Sequence, residues 1–220
     1  MSDSDRYLLS EIIKREQQEN ARRMKIDKYF ELFSAEQVLK GQEFDLDPEQ
    51  VRSGVLGGGG DGGIDSIYLF ANRRLVREDS DLEKFMEQQV TIELVILQSK
   101  HQASFSETAV QKIEDFAEKC LKFNSEPRAV REKLYNQRLV NAVMMFHNLY
   151  RMALTRKPRL IISFFYASLG ENIDPKVKAR ADILVSKTKQ NFSAAEVAFE
   201  FTGASRLLEL LIEFQQRQLH

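Results

Sequence analysis

The sequence is poor in the residues that form disulfides and zinc sites. Cys120 is the only cysteine among 220 residues, so no disulfide can form within the chain. The helical pattern around Cys120 predicts a small buried side chain rather than a nucleophile. The histidines His101, His147 and His220 have neither one another nor Cys120 at the spacing of zinc ligands, which disfavours a zinc site.

Long hydrophobic runs and a large net charge are also lacking. No apolar run is long enough to span a bilayer, and no signal peptide precedes the charged N-terminus. We therefore expect a cytoplasmic protein that has no membrane partner. The net charge of −1 means that any surface for nucleic acid must be local.

One stretch of the chain is locally basic. Residues 122–159 contain nine basic and two acidic residues, a net charge of +7. This pattern is typical of solvated helix faces, and it is also compatible with a nucleic-acid-binding surface. The candidate contacts of that surface are Arg128, Arg131, Lys133 and Arg138.

The length and the hydrophobic content of 43% predict one domain with a sizeable core over residues 1–220. It comprises an N-terminal helical region over residues 1–40 and a sheet core with flanking helices over 55–220. Hydrophobic periodicity predicts strands over 64–70, 90–98, 159–166 and 196–201, and further helices over 106–156, 174–190 and 204–218. The 106–156 region is predicted to break near Asn124 to Pro127. This order predicts a three-layer α/β fold around a central mixed sheet.

Two short signals refine this prediction. Asp47 and Pro48 are typical of the first residues of a short helix, with Pro48 at the first helical position. The triplet Asn72-Arg73-Arg74 predicts a hairpin-like turn after the first strand.

The segment 57–65, which reads GGGGDGGID, is the most informative part of the chain. It precedes the first strand, and the second strand ends abruptly in Gln98-Ser99-Lys100. Gln98 and Lys100 are two residues apart, so they point to the same face of a strand. If Asp65 lies on the neighbouring strand, the three side chains converge.

Such a convergence suits the cleavage of a phosphodiester. Asp65 offers a carboxylate and Gln98 an amide oxygen, which are ligands for Mg²⁺ or Mn²⁺. Lys100 can orient the attacking water and offset charge on the phosphate. Asp61 either adds a second carboxylate or only caps the turn. The alternative is that Asp65 closes a turn and that Gln98 to Lys100 form an ordinary polar strand end.

Three other glycine-rich or acidic motifs do not fit. The spacing of Gly57, Gly59 and Gly62 matches a dinucleotide-binding loop, but a strand follows it where a helix is required. A phosphate-binding loop would need Gly-Lys-Ser/Thr, which is absent. Asp61 and Asp65 lack the further ligands of a calcium loop.

These motifs resemble a known group of proteins. The segment 60–65 with Gln98-Ser99-Lys100 resembles the Asp…Gln-x-Lys variant of the PD-(D/E)xK nuclease superfamily, in its Mrr-like restriction endonuclease branch. Segments 29–39, 61–69, 93–100 and 105–107 resemble the N-terminal nuclease domain of abortive-infection phage-resistance (AIPR) proteins. The resemblance covers residues 25–110, and it implies a restriction-endonuclease-like fold.

The resemblance implies a role for each site residue. Asp65 and Gln98 would be metal ligands, and Lys100 would be the catalytic lysine. A glutamate of the first core helix would complete the site, with Glu36 preferred and Glu31 as the alternative. Ile64 replaces the proline of the superfamily pattern and Gln98 replaces an acidic ligand. Since a neutral ligand holds Mg²⁺ less tightly, we expect binding of the metal to depend on the substrate phosphate.

The sequence thus supports two functional hypotheses. The first is an Mg²⁺- or Mn²⁺-dependent endonuclease that hydrolyses DNA in defence against phage or foreign DNA, with RNA left open as a substrate. The second is a catalytically inactive module of the same fold that binds nucleic acid or a protein. A homodimer, further domains and a partner protein from a defence system are also left open.

Overall fold

A computed structural model describes residues 3–57, 59–123 and 128–218 of the chain. Gly58 of the glycine segment, the predicted helix break near Asn124 to Pro127, and His220 lie outside the described residues. The α-helices are α1 (Asp3–Asn20), α2 (Ile26–Gly41), α3 (Pro48–Gly54), α4 (Glu107–Phe116), α5 (Arg128–Leu134), α6 (Gln137–Ala153), α7 (Pro175–Asn191) and α8 (Ala204–Gln218). The strands are β1 (Ser66–Ala71), β2 (Arg74–Val76), β3 (Thr91–Lys100), β4 (Arg159–Ser168) and β5 (Ala195–Thr202).

The strands form one mixed sheet in the order β2-β1-β3-β4-β5. Strand β1 is antiparallel to both β2 and β3, whereas β3, β4 and β5 are parallel. The predicted α/β class with a mixed sheet is confirmed, and the strand predicted over 196–201 is at the sheet edge. Strand β2 was not predicted, because it is only three residues long.

Helices cover both faces of the sheet. On β3, Leu94 and Ile96 join one apolar cluster with residues of α6, while Val95 and Leu97 join another with residues of α2. Strand β3 is therefore buried on both of its faces. A third cluster joins α1, α2 and α8 on the α2 side. No helix in the described ranges is long and apolar enough to cross a membrane.

Local signals in the sequence account for several element boundaries. Asp47 caps α3 through a reciprocal pair of hydrogen bonds with Gln50, and Pro48 opens the helix as predicted. Asn72 and Arg73 adopt left-handed backbone conformations in the predicted hairpin turn between β1 and β2. Cys120 is buried, as predicted, and lies in a short π-helix, Ala117–Leu121, that follows α4.

Candidate active site

The glycine-rich turn ends directly beside the sheet. Asp61 caps this turn, since its Oδ1 accepts a hydrogen bond of 2.8 Å from the Gly63 N–H. Gly63 has a φ of +84°, and a Cβ there would lie 2.8 Å from the Lys112 Cβ and 3.3 Å from Gln98 Nε2. Only glycine therefore allows the turn to approach Gln98 so closely. Two roles were predicted for Asp61, and this hydrogen bond supports the one in which it caps the turn.

Asp65 occupies the position just before β1. Asp65 as a whole is 4% exposed, and its Oδ2 accepts a hydrogen bond of 2.7 Å from the Ser99 N–H. Lys100 Nζ lies 3.7 Å from the same oxygen. Burial raises the pKa of the Asp65 carboxyl group to about 6; Lys100 and the Ser99 N–H oppose this rise, whereas the charges of Glu31 and Asp61 add to it.

Gln98 lies one position beyond the paired residues of β1 and β3. Ser66 pairs with Leu97, and continuation of this antiparallel register brings Asp65 opposite Gln98. The Gln98 side chain is completely buried, and neither its Oε1 nor its Nε2 has a hydrogen-bond partner among the described residues. An unpaired amide in the interior costs about 1–3 kcal/mol, so its two polar atoms call for a further partner, which is either a ligand or an ordered water molecule.

Lys100 ends β3 and reaches the surface from the same site. Its side chain is 36% exposed, whereas that of Asp65 is almost fully enclosed. The separation of 3.7 Å makes these two groups an ion pair without a direct hydrogen bond. The ammonium group can therefore meet a solvent-borne ligand while it stays next to the carboxylate.

The two candidate glutamates of α2 have different surroundings. Glu31 is buried and pairs with Lys28 at 2.8 and 3.0 Å, and the charges of both residues act on Asp65. Glu36 pairs with Lys40 at 2.6 Å and is 38% exposed. Five positions along a helix turn the side chain by about 140°, which separates the two glutamates. Glu31 is the one that shares the electrostatic environment of Asp65.

Several residues of the site were not predicted from the sequence. The Ser99 hydroxyl lies 2.7 Å from the Ser34 hydroxyl of α2, and both side chains are buried. His101 Nδ1 lies 3.4 Å from a carboxylate oxygen of Asp27 at the start of α2. The buried pair of serine hydroxyl groups joins the middle of α2 to the end of β3. The only signal in the sequence was a serine within the apolar stripe of α2.

The predicted basic surface is largely engaged in contacts within the protein. Arg128 pairs with Glu132 at 2.7 Å. Arg131 is buried and donates to the Met144 sulfur at 3.7 Å. Arg138 donates to the main-chain carbonyls of residues 53 and 56 at 2.8 and 3.2 Å, and Lys133 is exposed. The Asp65 site contains none of these four residues.

The donor set near Asp65 is small. Within the described parts of the chain, no three His, Cys, Asp or Glu side chains form a group that could hold a metal ion. A divalent cation here would rely on the Asp65 carboxylate and on the unpaired Gln98 amide oxygen, both of which suit Mg²⁺ or Mn²⁺. The Gln98 amide oxygen has no hydrogen-bond partner among the described residues, so it is free to bind such an ion.

Comparison of the chain with protein-family models, curated proteins and solved structures gives no match. The interpretation of the site therefore depends on its own geometry and chemistry.

Proposed function

We propose that this protein is a divalent-metal-dependent endonuclease that hydrolyses DNA phosphodiester bonds, with a restriction-endonuclease-like fold and a role in defence against foreign DNA. The single observation that carries the proposal is the meeting of Asp65, Lys100 and the buried, unpaired amide of Gln98 at adjacent strand ends. The amide oxygen of Gln98 is thus available as a ligand beside a carboxylate that already has a cationic neighbour.

Each residue has a distinct part in this proposal. Asp65 and Gln98 would hold Mg²⁺ or Mn²⁺. When bound, such an ion neutralises charge on the phosphate and lowers the pKa of a water molecule. Lys100 stands beside the metal ligands and stabilises negative charge that develops on the phosphate oxygens. The backbone N–H of Ser99 holds the Asp65 carboxylate in its orientation.

Cleavage of supercoiled plasmid DNA with Mg²⁺ or Mn²⁺ tests the proposal. We expect Asp65→Ala and Lys100→Ala each to lower the rate at least about a hundredfold, because each removes charge stabilisation at the phosphate. Lys187→Ala is the matched control, since Lys187 forms an ion pair with Glu114 away from the site. Equal nicking by the parent and all three variants would eliminate the proposal.

The helix glutamate of the site is assigned to Glu31. Its negative charge helps to raise the pKa of Asp65. We expect Glu31→Gln to lower the cleavage rate by about tenfold or more, and to move the acidic limb of the pH–rate profile to lower pH. Glu36→Gln is the control that should change neither quantity. The opposite pattern would transfer the role to Glu36.

A further inference from the structure

A cleft of about 450 Å³ opens between the start of α2 and helix α3. Met24, Leu32 and Val55 give it apolar walls. Lys25 and Arg52 stand at its rim, and both side chains are exposed and have no side-chain partner among the described residues. Lys28 and Glu31 also line the cleft and pair with each other, so Lys25 and Arg52 supply its unpaired positive charge.

The cleft shares residues and backbone contacts with the surroundings of the proposed active site. Val55 forms a β-bridge with Ser66, which follows Asp65 directly. The Leu56 N–H donates a hydrogen bond of 2.9 Å to the main-chain oxygen of Asp65. Glu31 lines the cleft and also acts on the charge of Asp65. The cleft and the proposed active site thus share Glu31, and the backbone that lines the cleft at Val55 is paired with the start of β1.

We propose that this cleft binds an unpaired nucleotide of the DNA strand to be cut, with its base against Met24, Leu32 and Val55 and its phosphate at Lys25 and Arg52. The inference rests on the proposed function, and it adds that the substrate is single-stranded or locally unpaired DNA. The charge and the apolar walls match the two halves of a nucleotide.

Two features favour an unpaired strand over a duplex. A volume of about 450 Å³ is in the range of small-ligand pockets, and it accepts a base that has left the stack. A duplex is bound through many phosphates along a broad basic surface. In the most basic part of the chain, Arg128 is paired with Glu132 and Arg138 is bonded to main-chain oxygens, so neither of these two arginines is free to contact a duplex.

Binding without cleavage tests the inference. Fluorescence anisotropy would be measured with the Asp65→Asn protein in EDTA, with end-labelled single-stranded DNA and with the duplex of the same sequence. We expect single-stranded DNA to bind at least about tenfold more tightly, and the affinity to fall steeply with salt. Equal or tighter binding of the duplex would overturn the inference, as would tighter binding of RNA of the same sequence.

Variants then locate the binding site. Lys25→Glu with Arg52→Glu should weaken binding of single-stranded DNA by about tenfold or more. Leu32→Trp should weaken it by filling the cleft without a change of charge. Lys176→Glu with Lys178→Glu on α7, which packs on the other face of the sheet, should leave the affinity unchanged. Unchanged binding by both cleft variants would disprove the site.

The two proposals fail in different ways. No divalent cation and no intact Asp65 are needed for binding, so an inactive protein that still prefers single-stranded DNA through the cleft would contradict only the nuclease proposal. Metal-dependent cleavage that both cleft variants carry out at the parent rate would contradict only the assignment of the cleft.

Discussion

At the scale of single residues, Asp65 lowers the stability of the fold at neutral pH. Burial raises its pKa from an ordinary 3.8 to about 6, so its ionised form is disfavoured in the folded chain. The stabilising contribution of the neutral carboxyl group is complete below the ordinary pKa, and it is lost as the pH rises through about 6. Ionisable side chains whose pKa is strongly shifted by burial are typical of functional sites.

Asp65→Asn should therefore stabilise the protein in a pH-dependent way. The amide keeps the size of the side chain and removes the buried charge. We expect the free energy of unfolding to rise by about 1–3 kcal/mol at pH 8 relative to the parent, with little difference at about pH 4. Urea denaturation at both pH values measures this, and an equal loss of stability at both would contradict it.

Gln98 should show a similar conflict between stability and function. Gln98→Met keeps the length of the side chain and replaces an unpaired buried amide by an apolar group. We expect the variant to be more stable by about 1–3 kcal/mol in EDTA. Thermal unfolding with and without Mn²⁺ completes the test, since the metal should raise the Tm of the parent and not that of the variant. A variant that is less stable in EDTA would show that the amide has a partner in the fold.

At the scale of elements, a buried pair of hydroxyl groups joins α2 to β3. The Ser34 and Ser99 side chains lie 2.7 Å apart, and Ser34 Oγ also donates to the Phe30 carbonyl oxygen. This link fixes the turn of α2 that carries Glu31 against the strand end that carries Lys100. The geometry of the site therefore depends on how one helix is held on the sheet.

A double-mutant cycle measures this link. We expect Ser34→Ala to lower the free energy of unfolding by about 1–2 kcal/mol, because it leaves the buried Ser99 hydroxyl group unpaired. Ser99→Ala should cost less, because the Ser34 hydroxyl group still donates to the Phe30 carbonyl oxygen. The double variant should lose less than the sum of the two. Both single variants keep the backbone N–H that binds Asp65, so any loss of cleavage reports the position of α2. Strict additivity would show that the hydroxyl groups are not coupled.

Short sequence patterns, such as helix caps and turn residues, predicted most of the helices and strands. The surroundings of individual side chains depend on tertiary packing and could not be predicted in this way. The cap at Asp47 and the turn at Asn72 are local, so the sequence predicted both. Glu31 and Glu36 could not be separated, because only the packing of α2 on the sheet determines which one is near Asp65. The sequence also could not predict that the Gln98 amide is unpaired, because that depends on all the residues that surround the buried side chain.

At the scale of the whole molecule, the α2 side of the sheet is completed by helices that are distant in sequence. Leu9 and Ile13 of α1, Phe30 and Phe33 of α2, and Leu207 of α8 form one buried cluster. The Ser205 hydroxyl of α8 also donates to a carboxylate oxygen of Asp5 in α1, at 3.1 Å. The helix that carries Glu31 is thus held by α1 and α8 as well as by the sheet.

The stability of this layer can be tested from α8. Leu207 is completely buried, so Leu207→Ala should lower the free energy of unfolding by about 2–5 kcal/mol through the cavity that it leaves. Ile212→Ala is the control on the same helix, because Ile212 is 46% exposed and its loss should cost at most about 0.5 kcal/mol. Urea denaturation compares the two, and similar losses would mean that α8 does not anchor the layer.

The packing of α8 against α1 and α2 also has a consequence for protein synthesis. Helix α8 follows the other described elements in the chain, so a ribosome makes it after α2 and β3 have already been translated. Until residues 204–218 leave the exit tunnel, α2 lacks one of the two helices that hold it. Nascent chains in which residues 204–218 have not yet emerged should therefore hold α2, and with it Glu31, less firmly against the sheet than the folded protein does.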